Sequence, residues 1–363
     1  MLYYVREIRE NDKDNKLGGT KARIDAERIF EKKGAKKLTI TITDRKGQSI
    51  LKKIKGHIDA KNKWNKMFSE LKSGDVVIMQ YMFFEHSIFL YQAIKKARKE
   101  NKKIIMVIHD LESLQRVTSK TTPLGERLRI GIEEKSIHYA DKIIVHNEKM
   151  KKILLKMGYK KEQLVVLEIF DYLLDNRDEE RLNKRVLKRT EPVIISGNLR
   201  KDKTTFAYNL PKDIEFNLYG VDYNDEPKEN IHYHGSFLPD EVPYVMNGSF
   251  GLVWDGQSIE TCSGRFGEYL RINNPHKTSL YLMAGIPVAI WKNAALADFI
   301  KKYHCGVAIE SISDLKNIVA NMTDEEYDEL KKNTEKIGKK LLEGYFMDKA
   351  IGKCLDELNA ERQ

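Results

Sequence analysis

Residues 250–291 read FGLVWDGQSIETCSGRFGEYLRINNPHKTSLYLMAGIPVAIW. An apolar run, 250–254, ends in Asp255. A polar loop follows, containing Thr261, Cys262, Ser263, Gly264 and Gly267. Asn273, Asn274, Pro275, His276 and Lys277 lead into a helical pattern over 278–284, which Gly285 stops, and 286–291 is apolar again. The order is strand, loop, helix, strand. In such α/β units ligands bind past strand C-termini and at the first turns of helices. The polar residues of this stretch crowd into those two places.

Lys277 is the sharpest of them. It falls at the first turn of the expected helix, where free N–H groups and the positive end of the dipole favour an anion. An ammonium there suits a phosphate; the plain alternative is one more solvated lysine. Asn273, Asn274 and Pro275 equally suit an ordinary loop and helix cap.

The wording of 254–287, WDG, then CSG, then YLRINNPHKTSLYL, then AGIPV, resembles the donor side of a bacterial glycosyltransferase family. That family includes β-galactofuranosyltransferases of surface polysaccharide synthesis and the related glucosyltransferases that extend glycans on serine-rich repeat adhesins. The galactofuranosyltransferase branch is the nearer one. The resemblance spans nearly the whole chain and is dense only here. It implies the GT-B fold, two Rossmann-like α/β domains facing across a cleft with a C-terminal helix crossing back to the first. It also implies a UDP-sugar donor, no metal, and inversion at the anomeric carbon.

Composition agrees with a two-domain globular enzyme. The chain has 363 residues, 41% hydrophobic and 33% charged, enough for two domains that each bury a core. The net charge is +10, which admits nucleic acid, anionic membrane or small anionic substrates. The lysines are scattered, and neither zinc-finger spacing nor an RNP-like aromatic strand accompanies them, so no nucleic-acid partner is expected. Three widely spaced cysteines (Cys262, Cys305, Cys354) point to a reducing compartment and against a zinc knuckle. The opening MLYYVREIREND is no signal peptide, and no apolar run approaches the roughly 20 residues of a spanning helix. The expected location is cytoplasmic, with room for peripheral attachment to the inner face of the plasma membrane.

Along the chain, strands are expected at 2–5, 38–42, 75–81, 103–108, 142–145 and 164–169, and a second set begins at 192–196. The near-continuous apolar runs among them suit parallel sheets covered on both faces. A charged stretch, DYLLDNRDEERLNKRVLKRTE at 171–191, separates the halves. The expected domains are 1–175 for the acceptor, a linker at 176–191, 192–343 for the UDP-sugar, and a terminal helix at 344–363.

Two titratable clusters follow strand ends in the first half: Glu85 with His86, and His109 with Asp110. Sugar transfer needs a general base for the acceptor hydroxyl. Asp110 is the first choice, with His109, Glu85 and His86 as rivals; each also suits a structural role in a cap or loop. Gly19 and Thr20, in NKLGGT, either approach the donor phosphates, as the resemblance implies, or form a turn and a cap ahead of a helix at 21–33.

In the second half, Gly197 and Asn198 precede Arg200 and Lys201 directly after a strand. The resemblance carries the diphosphate contact onto Arg200, whose guanidinium can hold two oxygens at once. It places Tyr219 and Phe237 beside the uracil. It also carries the donor site onto Asp255, Ser263, Gly264, Asn274, His276, Lys277 and Thr278. Glu260 and Glu268 have the spacing of paired glutamates in retaining transferases, but they precede the NNPHK turn and the nearer family inverts.

The expected function is metal-independent transfer of galactofuranose from UDP-galactofuranose to a hydroxyl of an acceptor glycan, with no cofactor. The expected acceptor is a glycan, lipid-linked or protein-bound, and self-association is open. Two alternatives stay in view. One is a UDP-glucose-dependent glucosyltransferase acting on a GlcNAc-modified glycoprotein. The other is a non-catalytic UDP-sugar-binding relative. A dehydrogenase or epimerase is disfavoured by the missing GxGxxG.

Overall fold

The structure is a computed structural model describing residues 1–9, 18–42, 49–83, 88–115 and 124–361. The chain divides into two compact units. Unit 1 holds the described residues of Met1–Asn15, Ala26–Leu167 and Met347–Gln363; unit 2 holds those of Lys16–Asp25 and Glu168–Phe346.

The elements of the first half are β1 (Leu2–Arg9), α1 (Gly18–Lys32), β2 (Lys36–Ile42), α2 (Ile50–Ser69), β3 (Val76–Tyr81), α3 (Leu90–Lys99), β4 (Lys103–Ile108), α4 (Glu112–Gln115), α5 (Leu124–His138), β5 (Lys142–Val145), α6 (Glu148–Lys156) and β6 (Leu164–Val166). Unit 1 is a six-stranded sheet in the order β2-β1-β3-β4-β5-β6, and every pairing is parallel. All six residues of β3, VVIMQY, are buried. A strand buried on both faces gains from an unbroken apolar run, which is why alternation is absent. Asn147 caps α6 by accepting the Met150 N–H at 3.0 Å. The last turns of the chain also belong here: the buried Lys142 ammonium meets Glu357 and Glu361 at 2.9 and 3.0 Å.

The second half contributes α7 (Glu179–Asn183), β7 (Val193–Asn198), β8 (Phe216–Val221), β9 (Ile231–Tyr233), α8 (Val242–Val245), β10 (Gly251–Val253), α9 (Gly264–Tyr269), α10 (His276–Met283), β11 (Val288–Trp291), α11 (Ala297–Tyr303), β12 (Gly306–Ile309), α12 (Asp314–Asn321), α13 (Asp324–Glu343) and α14 (Tyr345–Ala360). Unit 2 is a second parallel six-stranded sheet, β12-β11-β10-β7-β8-β9. Read from β9, this is the dinucleotide-fold order, with strand direction of travel reversing between β7 and β10. In unit 1 the corresponding reversal lies between β1 and β3. These switch points are where the strand C-termini leave a crevice for ligands.

Several sequence expectations shift. The first helix begins at Gly18, so Gly19 and Thr20 lie inside its first turn rather than in a turn ahead of it. Helix α8 is a single short turn, Val242–Val245, with Pro243 at its start. Strand β7 runs on through Gly197 and Asn198. Helix α2 is long, 20 residues from Ile50 to Ser69.

Candidate active site

The centre of the unit 2 site is the head of α10. Lys277 lies in its first turn, and its ammonium donates to Asp255 Oδ1 and to the Trp254 carbonyl, both at 3.0 Å. Both partners follow β10, at the switch point. The Lys277–Asp255 pair is largely withdrawn from solvent, at 16% and 10% side-chain exposure, so its geometry is held more firmly than that of a surface pair. Asp255 therefore orients Lys277. Two glycines allow the close packing behind it: a Cβ at Gly256 would sit 2.2 Å from the Ser263 carbonyl, and one at Gly267 would sit 2.5 Å from the Cys262 carbonyl carbon. Ser263 and Gly264 form the entrance to α9.

Thr278, the next residue, is fully buried, and its Oγ1 has no hydrogen-bond partner. A buried orphan hydroxyl costs about 1–3 kcal/mol, and this one lies directly after Lys277 in the first turn of α10. Asn274, His276 and Ser279 are spent differently. Asn274 Nδ2 donates to the Glu168 carbonyl at 3.0 Å, His276 Nε2 to that of Asp171 at 3.1 Å, and Ser279 Oγ to that of Phe170 at 2.6 Å. Together they lace the α10 entrance to 168–171. His276 also stacks on Tyr172 (4.9 Å, 18°), and burial drives its pKa down to about 4.

Sequence reading missed two supports of this region. Lys21 is buried and donates to Asp25, the Leu173 carbonyl and Asp240 at 2.8, 2.6 and 2.7 Å. Asp25 is an ordinary i,i+4 partner, but nothing in the sequence hinted at the partners at Leu173 and Asp240. Tyr281 reaches from α10 to β7, its hydroxyl accepting the Ser196 N–H at 2.8 Å, and its ring fills the niche left by Gly251.

Arg200 is exposed after β7, its guanidinium forked onto Asp202, with Nη2 to Oδ2 at 3.0 Å. Tyr219 is buried; its hydroxyl accepts the Asn247 N–H at 3.1 Å, and one ring face is covered by His234 (4.7 Å, 12°). Phe237 is exposed, 6.3 Å from the Tyr219 ring. Cys262 is buried, its thiol pushed well up by desolvation, as inert packing requires. Glu268 pairs with Arg271 at 2.7 Å.

In unit 1, His109 and Asp110 follow β4 directly and are half-buried. His109 Nε2 meets Gln80 Oε1 at 2.8 Å, and Gln80 Nε2 donates to Glu27 Oε1 at 3.2 Å. A carboxylate only accepts, so Gln80 presents its oxygen to the imidazole and His109 carries its proton on Nε2. Asp110 accepts from Gln115 Nε2 at 3.3 Å. Close by, buried Glu133 accepts the Glu112 and Ser113 N–H groups at 2.9 and 3.0 Å; desolvation raises its pKa. Its work is to hold α4. Glu85 and His86 lie outside the described residues. Among the described residues no group of three or more His, Cys, Asp or Glu side chains converges as a metal ion would need.

Comparison with known proteins settles the family. The glucosyltransferase 3-like N-terminal domain model matches residues 3–169 and the C-terminal domain model residues 193–354. The chain belongs to the glucosyltransferase 3-like family. Within it, the chain is 36% identical to beta-1,6-galactofuranosyltransferase WbbI of Escherichia coli (strain K12), over 79% of this chain and 81% of that protein. It is 25% identical to glucosyltransferase 3 of Streptococcus gordonii, over 77% and 78%. Among solved structures it resembles a sucrose-phosphate synthase from Thermosynechococcus elongatus (TM-score 0.64, 13% identity, 99% and 100% covered). It also resembles WaaG, a glycosyltransferase involved in lipopolysaccharide biosynthesis (TM-score 0.57, 12% identity, 96% and 98% covered). Those likenesses establish the fold: two Rossmann-like α/β domains of the GT-B type. This glucosyltransferase 3-like chain is a glycosyltransferase, as the resemblance at 254–287 implied.

Proposed function

We propose that the chain transfers galactofuranose from UDP-galactofuranose to a hydroxyl of an acceptor glycan in bacterial surface polysaccharide synthesis, inverting the anomeric centre without a metal. The observation that carries the donor reading is the clamped Lys277 ammonium beside the orphan Thr278 hydroxyl at the head of α10. Two of the three ammonium protons are taken by Asp255 and Trp254; the third is directed to a donor phosphate oxygen. As the glycosidic bond to UDP breaks, negative charge grows on the diphosphate, and a preorganised cation stabilises it without reorganisation. Arg200 would exchange Asp202 for a phosphate when the donor arrives, since each offers a guanidinium two oxygens at once. Galactofuranose is preferred to glucose on the 36% identity to a galactofuranosyltransferase, against 25% to the glucosyltransferases.

The base is assigned to His109. With its proton on Nε2, the lone pair sits on Nδ1, and Glu27 through Gln80 stabilises the imidazolium that forms on taking a proton. Asp110 is the rival. The acceptor is a glycan carried on a lipid or a protein.

Calorimetric titration of UDP, GDP and ADP, with and without magnesium, tests the donor site. Selective UDP binding indifferent to magnesium is expected; binding that needs magnesium, or none, overturns the reading. Release of UDP from UDP-galactofuranose and not from UDP-glucose, in the presence of acceptor glycan, tests the sugar.

A further inference from the structure

Helix α2 changes character along its length. Its C-terminal half packs: Trp64, Met67 and Phe68 are buried, and the Trp64 ring meets those of Phe68 and Phe83 at 5.9 and 5.7 Å. Its N-terminal half does not: Leu51, Ile54 and Ile58 are 80%, 45% and 44% exposed. At about 100° per residue, these three positions share one stripe, rotated away from the Trp64–Phe68 face. Lys52, Lys53 and Lys55 are exposed among them, and α2 reads ILKKIKGHIDAKNKWNKMFS, six lysines against one aspartate.

Single exposed apolar residues are ordinary on a protein surface. Three on one helical stripe, interleaved with lysines, ask for a cover. Protein interfaces are enriched in aromatic residues and arginine and depleted in lysine; the exposed half of α2 shows the reverse. Aliphatic side chains with lysines alongside fit the boundary of an anionic bilayer. The branched side chains enter the acyl edge while the lysine stems extend to headgroup phosphates. Among the described residues no helix is long and apolar enough to cross a membrane, so such contact is parallel to the surface.

We propose that the N-terminal half of α2 is a docking surface for an anionic lipid bilayer. It uses none of the residues assigned to the donor or the base, so it stands or falls separately from the transferase reading.

The test is flotation of the full chain with phosphatidylcholine–phosphatidylglycerol vesicles and with pure phosphatidylcholine vesicles, at low and raised salt. Binding to the anionic vesicles alone, weakened by salt, is expected. Lys52→Gln/Lys53→Gln/Lys55→Gln should lower the partition coefficient roughly a hundredfold, at about fivefold per charge. Leu51→Ser/Ile54→Ser/Ile58→Ser should abolish flotation. Both variants should keep the parent melting temperature and UDP binding, because the side chains are exposed. No flotation by the parent, or flotation indifferent to both variants, overturns the proposal. So does sedimentation showing that the serine variant dissolves a dimer while the parent ignores vesicles, since a second copy would then cover the stripe.

Discussion

The two sheets share a parallel six-stranded plan but end in opposite materials. At the switch point of unit 2, a lysine is pinned by a carboxylate and a carbonyl, with a buried hydroxyl beside it. At the strand ends of unit 1, a histidine leans on a glutamine that leans on a glutamate. The first arrangement holds a fixed positive charge and suits an anion. The second holds a movable proton and suits an acid–base step. Topology alone made both edges candidate sites; only the side chains divide the labour between them.

The largest test of that division is Lys277→Ala. Removing the preorganised cation should lower UDP release from the donor by about a thousandfold, and calorimetry should show UDP affinity falling with it. Turnover and affinity both near the parent values would break the assignment of the anion to unit 2. Next comes His109→Asn, for which about a hundredfold loss of turnover is expected with UDP affinity unchanged. Gln80→Leu should reproduce part of that loss and shift the pH–rate profile, because it releases the tautomer rather than removing the base. If Asp110→Asn costs more than His109→Asn, the base is the carboxylate and the histidine is scaffolding.

The units also share a feature: each keeps an imidazole neutral, His146 buried directly after β5 and His276 half-buried at the head of α10. His146 donates to the Ile108 carbonyl at 3.1 Å, and burial holds its pKa at about 4, as it does for His276. An unfolded histidine titrates near 6.5. Between those values the unfolded chain binds protons that the folded chain refuses. The stability each neutral ring supplies is therefore complete above about pH 6.5 and is lost as pH falls toward 4. For fully buried His146 the loss is on the order of 3 kcal/mol. Denaturant midpoints should fall across this window. Ring-proton resonances of either histidine titrating near 6.5 would contradict it.

How much of this was legible in sequence depends on how local the cause is. The strands of unit 1 were readable because unbroken apolar runs have one use in a parallel sheet. Lys277 was readable because Pro275 and Gly285 bracket its helix. Asn274 and His276, expected at the donor, also bind the carbonyls of Glu168 and Asp171. Those partners lie over a hundred residues away, and no spacing rule reaches them. Lys21 was invisible for the same reason. Gly19 and Thr20 suit a donor-phosphate contact or a turn with a cap; the structure puts them within the first turn of α1, which needs no upstream partner. The exposed half of α2 escaped notice because helix reading weights the apolar positions that agree with the core, and Leu51, Ile54 and Ile58 do not.

The smallest effect is the most discriminating, because it changes sign between two measurements. Thr278→Val keeps the shape of the side chain and removes the hydroxyl that lacks a partner. If that hydroxyl is only a packing defect, the valine variant gains about 1 kcal/mol of stability and binds UDP as the parent does. If it is reserved for a phosphate oxygen, the same gain appears without ligand, but UDP affinity falls about tenfold. Melting temperature rising while UDP affinity drops would show that unit 2 leaves a polar group unsatisfied until the donor arrives. The same pair of measurements on Ser279→Ala should give the opposite result. Its hydroxyl already bonds the Phe170 carbonyl, so the alanine variant should lose stability and keep UDP affinity.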